Sequence, residues 1–435
     1  MHRVVIVGGG AGGLELATKL GDTLGKRRQA HITLVDKCPT HVWKPLLHEV
    51  AAGSLDPATN HLEYAAQAYW HNFTFARGEL VGLDRSRRSI RLAAVPDEDG
   101  GDEPLFPARE LEYDTLVLAV GSTTHFFGIA GAEEHAISLD SVWQAERFRR
   151  RLLRKCAQKS DGRARGVVSP VKVVIIGAGA TGVELAAELK KTAKAFRDFR
   201  LHGADERCDI HITLVEAGTR ILPALSERVS EATARLLRGL GVDIMTGDSV
   251  MEVHGDRVST RGGATFPADI TVWAAGIKGP AVMELLDGLA LNRLVQLNVT
   301  TSLQSETDPN VFALGDCASC LWEKGRFVPP RAQAAHQQAS FMVNAIKCRI
   351  RGDALPTFSY RDLGSLVSVG SSGAVGNLMG GLVGRSMLVE GLMARAMYAS
   401  LYRMHLSTIS GYRRMLLDLM AHRLRRFLAP RVKLH

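Results

Sequence analysis

The sequence is defined first by what it lacks. No run of about 20 uninterrupted apolar residues appears, so no segment reads as a spanning helix. Only six cysteines occur in 435 residues. Cys38, Cys156, Cys208 and Cys348 are scattered without a disulfide framework and read as plain thiols of a reducing compartment. The first apolar strand begins at about Arg3, which leaves no room for a leader. No metal centre is expected. What remains is ordinary for a globular chain: 46% hydrophobic and 23% charged residues, with a length that accommodates two or three domains. Charge is uneven. Of the net +9, residues 387–435 carry +7, with nine Lys and Arg against Glu390 and Asp418. Such a tail suits an anionic surface, either membrane or nucleic acid.

Two stretches organise the rest. Residues 4–19 read VVIVGGGAGGLELATK and residues 173–190 read VVIIGAGATGVELAAELK. Each is an apolar strand, then Gly-x-Gly-x-x-Gly, then a helix start. The glycines are Gly8, Gly10 and Gly13 in one copy and Gly177, Gly179 and Gly182 in the other. Glycine serves a tight turn, close backbone approach to a pyrophosphate, and close helix–strand packing. The helix N-terminus then presents unpaired N–H groups and a positive dipole end to phosphate. Each copy is followed by an acid at a strand end, Asp36 in HITLVD and Glu216 in HITLVE, where the ribose hydroxyls of a dinucleotide are held. A third echo pairs YDTLVLAVG, ending at Gly121, with ADITVWAAG, ending at Gly276. The offset between copies is 169 at Val4 and 180 at His31, so the second carries 11 extra residues before its acid. The pattern is an internal duplication of a dinucleotide-binding fold.

Other segments have plainer readings. Residues 97–112 read as an exposed loop or hairpin, and the basic stretch 148–165 as a solvated helix leading into the second copy. TDPNVFALGD, ending at Asp316, reads as a turn and a short strand that returns to the first fold, which makes the second domain an insertion. Pro329 and Pro330 start a helix, and residues 366–390 suggest short strands. In the tail, Tyr412, Leu416, Leu417, Leu419, Met420, Leu424, Phe427 and Leu428 fall on one helical arc. Arg414, Asp418, His422, Arg425 and Arg426 fall on the other, with Met415 among them. This is a basic amphipathic helix suited to a membrane surface. The segment 392–405 is apolar nearly all round and is expected to pack against protein.

The double fingerprint, HVWKPLLHEVA from His41, VFALGDC from Val311, PRAQAAHQ from Pro330 and the tail LYRMH…PRVKLH together resemble bacterial type II, non-proton-pumping NADH:quinone oxidoreductases. The resemblance covers essentially the whole chain, and Gln333 with Gln337 is its most specific part. It implies an α/β architecture of two Rossmann-like dinucleotide-binding domains of the disulfide-reductase flavoprotein type. The expected division is a flavin domain from residues 1–125 and 290–385, an NADH domain from 126–289 and a membrane-association region from 386–435.

The resemblance also implies roles. Gly8, Gly10 and Gly13 would cradle the FAD pyrophosphate and Asp36 its ribose. Lys44 would pass near the isoalloxazine, Gly121 would close the pyrophosphate side, and Asp316 would hold the ribityl or phosphate portion. Gly177, Gly179, Gly182, Glu216 and Gly276 would hold NADH, the Glu216 carboxylate disfavouring the 2′-phosphate of NADPH. Gln333 and Gln337, at i and i+4, would offer amide donors to a quinone. Glu184 would be the carboxylate nearest the meeting point, and His336 a proton relay. The partners implied are a membrane quinone, ubiquinone foremost, and the cytoplasmic face of the inner membrane, with no nucleic acid; a homodimer is left open. Two other readings compete. Cys317 and Cys320 form a C-x-x-C that would suit a disulfide reductase, a sulfide:quinone reductase would need widely spaced cysteines for which only Cys156 and Cys348 are eligible, and the basic tail would suit a redox-sensing flavoprotein that binds nucleic acid or a partner.

Overall fold

The computed structural model of the protein describes residues 1–97, 101–164, 169–198, 209–369, 374–379 and 386–428. The apolar run of residues 4–7 has both faces covered, with no more than 3% of any side chain exposed. Burial on that scale is worth about 1.5–3 kcal/mol for each Val or Ile, and it demands a central parallel strand. His2–Val7 is that strand. It lies mid-sheet in the order Val311–Ala313, Thr115–Leu118, His2–Val7, Ala30–Asp36, Thr74–Arg77, every pair parallel.

The second sheet repeats the plan. Its order is Ala136–Ser138, Ile270–Trp273, Val171–Ile176, Ile210–Glu216, Val242–Thr246, again all parallel. The outer strands reveal the connectivity. The first sheet's outer strand, Val311–Ala313, comes from chain that follows the whole second sheet. The chain leaves through Thr123–Thr124 and returns through Ile277–Lys278, and these two strands pair with each other.

Each helix after a fingerprint is pressed onto its strand by the third glycine. A Cβ on Gly13 would lie 1.8 Å from the Gly8 carbonyl oxygen, and one on Gly182 would lie 2.0 Å from that of Gly177. Gly8 and Gly177 adopt φ of +107° and +97°, a region L-residues avoid. Helix Ala332–Arg351 then packs on helix Ala11–Leu20. The chain closes with an antiparallel sheet of Gly364–Ser368, Ala374–Met379 and Ser386–Glu390 and with helix Gly391–Leu428, broken at Gly411 (φ 77°, ψ 158°).

Several expectations are met and several corrected. Within 97–112, residues 101–108 are exposed and Arg109–Glu112 is a strand that pairs antiparallel with Ser89–Leu92. The basic helix, Val142–Ala164, is not simply solvated: Ala145, Phe148, Leu152 and Cys156 recur at helical spacing and are buried. Cys156 is disulfide-bonded rather than a plain thiol; its pairing is set by tertiary proximity, which spacing in the sequence does not carry. In the tail Met415 and Leu419 turn partly inward, while Tyr412, Leu416, Leu417, Met420 and Leu424 stay exposed. The predicted arc thus keeps an exposed apolar row, with its edge at Leu419 half-buried. Cys208, residues 429–435 and the side chains of Asp418, His422, Arg423, Arg425, Arg426, Phe427 and Leu428 lie outside what is described. No described helix is long and apolar enough to cross a membrane.

The glycines make unequal demands, which yields a prediction. A Cβ on Gly10 meets nothing within 4 Å, and its φ of −66° suits any residue. Gly13→Ala should lower the unfolding free energy of the protein by about 1–3 kcal/mol, the usual cost of overpacking. Gly10→Ala should change it by less than about 0.5 kcal/mol. Equal losses in thermal unfolding would contradict the packing role.

Candidate active site

Both glycine turns end at the carboxyl edge of their sheets, where α/β proteins hold ligands. In the first, the Asp36 carboxylate accepts from the backbone N–H of Gly9 at 2.6 Å and of Cys38 at 2.8 Å. Burial raises its pKa, and these donors oppose the rise. In the second, Glu216 accepts from Ala178 N–H and Gly218 N–H, both at 2.8 Å. A carboxylate has about four acceptor positions, so each acid keeps capacity for ribose hydroxyls. Helix Ala11–Leu20 has no side chain capping its first turn, which leaves N–H groups facing the space beside Gly10. Gly179 likewise has nothing within 4 Å of a built Cβ. Both turns thus present an open cradle of the size and polarity a diphosphate requires, and residues 8–13 and 177–182 fit a dinucleotide.

One continuous cleft of about 2320 Å³ joins the two cradles, lined by Gly8, Gly10, Asp36 and Gly121 on one side and Gly179, Glu184 and Gly276 on the other. Gly13, Gly177, Gly182 and Glu216 stand behind its wall. Between the cradles runs a polar chain. Asp316 accepts from Ser122 Oγ at 2.8 Å, Lys44 Nζ donates to the Ser122 carbonyl at 2.8 Å, and the same ammonium lies 3.7 Å from Asp140. Asp140, absent from the sequence reading, accepts from Thr124 N–H at 2.9 Å, on the connector between the folds. Glu184, 7% exposed, meets three segments: its own helix, His48 Nδ1 at 3.5 Å, and the N–H of Ser368 at 3.1 Å. Burial depresses His48 to a pKa of about 4, so this contact is that of a neutral imidazole at neutral pH.

Helix Ala332–Arg351 brings Gln333, His336 and Gln337 to the same cleft. Gln333 spends both amide hydrogens, on Tyr360 Oη at 2.6 Å and Asp362 Oδ1 at 3.1 Å. In this arrangement both hydrogens hold the 360–362 strap, a partnership that helix periodicity does not show. Gln337 clasps Arg361 reciprocally, donating to its carbonyl at 2.8 Å and accepting from its N–H at 2.9 Å. One amide hydrogen of Gln337 remains. His336 Nδ1 is hydrogen-bonded to Glu15, and its ring lies 5.7 Å from Trp43 and 5.1 Å from His405, centroid to centroid.

The sequence reading missed four members of this cluster. Glu15 is 2% exposed, on a helix otherwise apolar at Leu14, Leu16, Ala17 and Leu20; an acid amid that run was the available signal. Trp43, 7% exposed, stacks on His405 at 3.9 Å. His41 joins Gly9 O at 2.8 Å to His405 Nε2 at 2.9 Å, and burial lowers its pKa to about 4. Only the fold brings His405, from the tail, into contact with them.

The C-x-x-C gives a dithiol reading no support. Cys317 and Cys320 are free but buried, and burial pushes their pKa values to about 12 and about 11. Reactive thiols need the opposite environment.

Similarity to known proteins agrees with this geometry. Residues 2–339 match the family model of pyridine nucleotide-disulphide oxidoreductases. A type II NADH:quinone oxidoreductase of Haemophilus influenzae is 40% identical over 447 aligned positions, covering 100% of both chains. One from Staphylococcus aureus is 28% identical, covering 87% of this chain and 90% of its own. Among solved structures, NDH2 from Plasmodium falciparum in complex with NADH superposes with a TM-score of 0.79 at 18% identity, covering 96% and 97% of the two chains. The sulfide:quinone oxidoreductase of Aquifex aeolicus gives 0.71 at 19% identity, covering 94% and 92%. With full-length identity to a curated member and the doubled dinucleotide fold in place, this chain belongs to the type II NADH:quinone oxidoreductases.

Proposed function

We propose that the family's reaction, oxidation of NADH and reduction of a quinone through FAD, runs in the 2320 Å³ cleft, with the residues placed as follows. The observation that carries this reading is the cleft's reach, from Gly10 and Gly179 to Tyr402, Met404 and Thr408 on the tail helix. A water-soluble donor and a lipid-dissolved acceptor thus share one chamber. When bound, FAD supplies the two-electron relay that takes hydride from NADH and passes the pair onward.

In this reading the flavin domain comprises residues 1–125 and 290–385, and the NADH domain residues 126–289. Gly8 and Gly10 admit the FAD diphosphate, Gly13 holds the helix close, and Asp36 accepts from the ribose. Gly121 and Asp316 border the phosphate end, Asp316 being fixed by Ser122. Lys44 places a cation beside the ring region, held by the Ser122 carbonyl. Gly177, Gly179, Gly182, Glu216 and Gly276 do the same for NADH. Glu184 and His48 close the chamber where the two folds meet. Gln337 offers its remaining amide hydrogen to a quinone carbonyl, and Gln333 keeps the 360–362 strap in place.

The 386–435 region is the membrane contact. Support comes from an exposed row of Tyr412 (74% exposed), Leu416, Leu417, Met420 and Leu424, continued by Tyr69 (85% exposed) and Trp70 from the body. Arg414 caps the Trp70 ring at 3.7 Å, and aromatic residues beside arginine suit the headgroup layer. The attachment is peripheral, on the cytoplasmic face, and the quinone is ubiquinone.

Three outcomes follow. Glu216→Gln keeps one of the two backbone hydrogen bonds but removes the charge that repels a 2′-phosphate, so the NADH over NADPH ratio of kcat/KM should fall about tenfold, about 1.4 kcal/mol; an unchanged ratio would move discrimination elsewhere. Gln337→Ala should slow reoxidation of the NADH-bleached enzyme by a short-chain ubiquinone about tenfold and leave bleaching within about twofold. Equal losses in both stopped-flow phases would remove Gln337 from the quinone end. Truncation after Ser410 should abolish co-sedimentation with phosphatidylglycerol vesicles while the protein stays yellow and is bleached by NADH. Retained binding to vesicles, or binding to duplex DNA in their place, would defeat the membrane assignment.

A further inference from the structure

Quinone reduction has a proton deficit that the established reaction leaves unassigned to any group. A quinone becomes a quinol by gaining two electrons and two protons, whereas NADH gives up a hydride, which is two electrons and one proton. One further proton must come from water in each turnover. Among the described residues, the cleft holds an arrangement suited to deliver it, on the helix that begins at the first glycine cradle.

Glu15 is 2% exposed and lies on helix Ala11–Leu20, facing helix Ala332–Arg351. One carboxylate oxygen bonds His336 Nδ1. The other accepts from Lys19 Nζ at 2.6 Å and Ser340 Oγ at 3.2 Å, and Lys19 also reaches Ser340 at 2.8 Å. Lys19 is 34% exposed, so the outer end of this network touches water. Burial works against the charged form of Glu15, yet the bonds and charges of His336 and Lys19 outweigh it and hold its pKa below the ordinary value. Glu15 is therefore an anion and can only accept. Its partner Nδ1 must carry a hydrogen, which leaves Nε2 on the far edge of an imidazole that lines the cleft. The other groups around the ring do not compete: Trp43 presents a π-face, while burial lowers His41 and His405, keeping both neutral at neutral pH.

We infer that Glu15 is a positioning residue that fixes the proton on His336 Nδ1, so that His336 Nε2 donates the solvent-derived proton to the quinone oxygen. The Nε2–H bond breaks and a quinol O–H bond forms. The electron pair arrives from NADH, and Nε2 is reloaded from water once the quinol has left. Orienting an acid–base imidazole with a buried carboxylate is the logic by which hydrolase triads fix their histidine.

This inference rests on the quinone-reductase reading, and the test separates the two. Holoenzyme is bleached with NADH under argon and mixed with a short-chain ubiquinone between pH 5.5 and 9. If the parent enzyme is not reoxidised by the quinone, the reading itself fails. In the parent, reoxidation should slow as pH rises, because the donor must carry its proton. His336→Gln should slow it at least tenfold and flatten that pH dependence. Glu15→Gln, which keeps the volume but not the charge, should slow it about tenfold and shift the profile, with Glu15→Asp recovering part of the rate. The double variant should be no slower than His336→Gln alone. All should bleach with NADH at rates within about twofold of the parent. Should Glu15→Gln lose its flavin, Lys19→Met loosens the same carboxylate from the surface and is expected to slow reoxidation two- to threefold. The inference is overturned if the Glu15 or Lys19 variants reoxidise like the parent, if slowing comes without change in pH profile, or if bleaching and reoxidation fall equally.

Discussion

Everything in this molecule depends on how closely two helices approach two strands. The Gly13 and Gly182 contacts, at 1.8 Å and 2.0 Å from a carbonyl oxygen for a built Cβ, leave no room for any side chain. That closeness brings each helix's first N–H groups to the carboxyl edge of its sheet, and the middle glycine leaves the space before them empty. Asp36 and Glu216 are then tied to the backbone of the same turns, so cradle and acid move as one body. Preorganisation of this kind lets a cofactor bind without ordering the site at its own expense.

The duplication explains why two such bodies share one cleft. Both sheets use the same strand order, but their outer strands are supplied from opposite directions along the chain, Val311–Ala313 from after the second sheet and Ala136–Ser138 from before it. The crossings Thr123–Thr124 and Ile277–Lys278 therefore have to lie side by side, and they pair. Lys44, Ser122, Asp140 and Asp316 gather around this seam.

What could be read in advance divides along physical lines. Strand–glycine–helix turns, the paired acids and the returning strand before Asp316 are local patterns with fixed spacing, and they were legible. The disulfide at Cys156 and the strap held by Gln333 and Gln337 depend on what packs opposite, which no local period encodes. Glu15 lies between these cases. A buried acid within an apolar helical run signals a partner without naming it, and the partner, His336, lies 321 residues away.

The tail illustrates how hydrogen-bond accounting reaches further than contact alone. The Gly9 carbonyl can only accept, and it takes bonds from Tyr64 Oη at 2.7 Å and His41 Nδ1 at 2.8 Å. His41, neutral because it is buried, then has Nε2 as an acceptor, so the proton in the 2.9 Å contact belongs to His405. His405 Nδ1 is left as a buried acceptor without a partner among the described residues. An unpaired buried acceptor costs about 1–3 kcal/mol, and the Trp43 stack at 3.9 Å together with the bond to His41 must offset it. The tail segment before the Gly411 break is thus joined, through two imidazoles, to Gly9, whose own N–H holds Asp36.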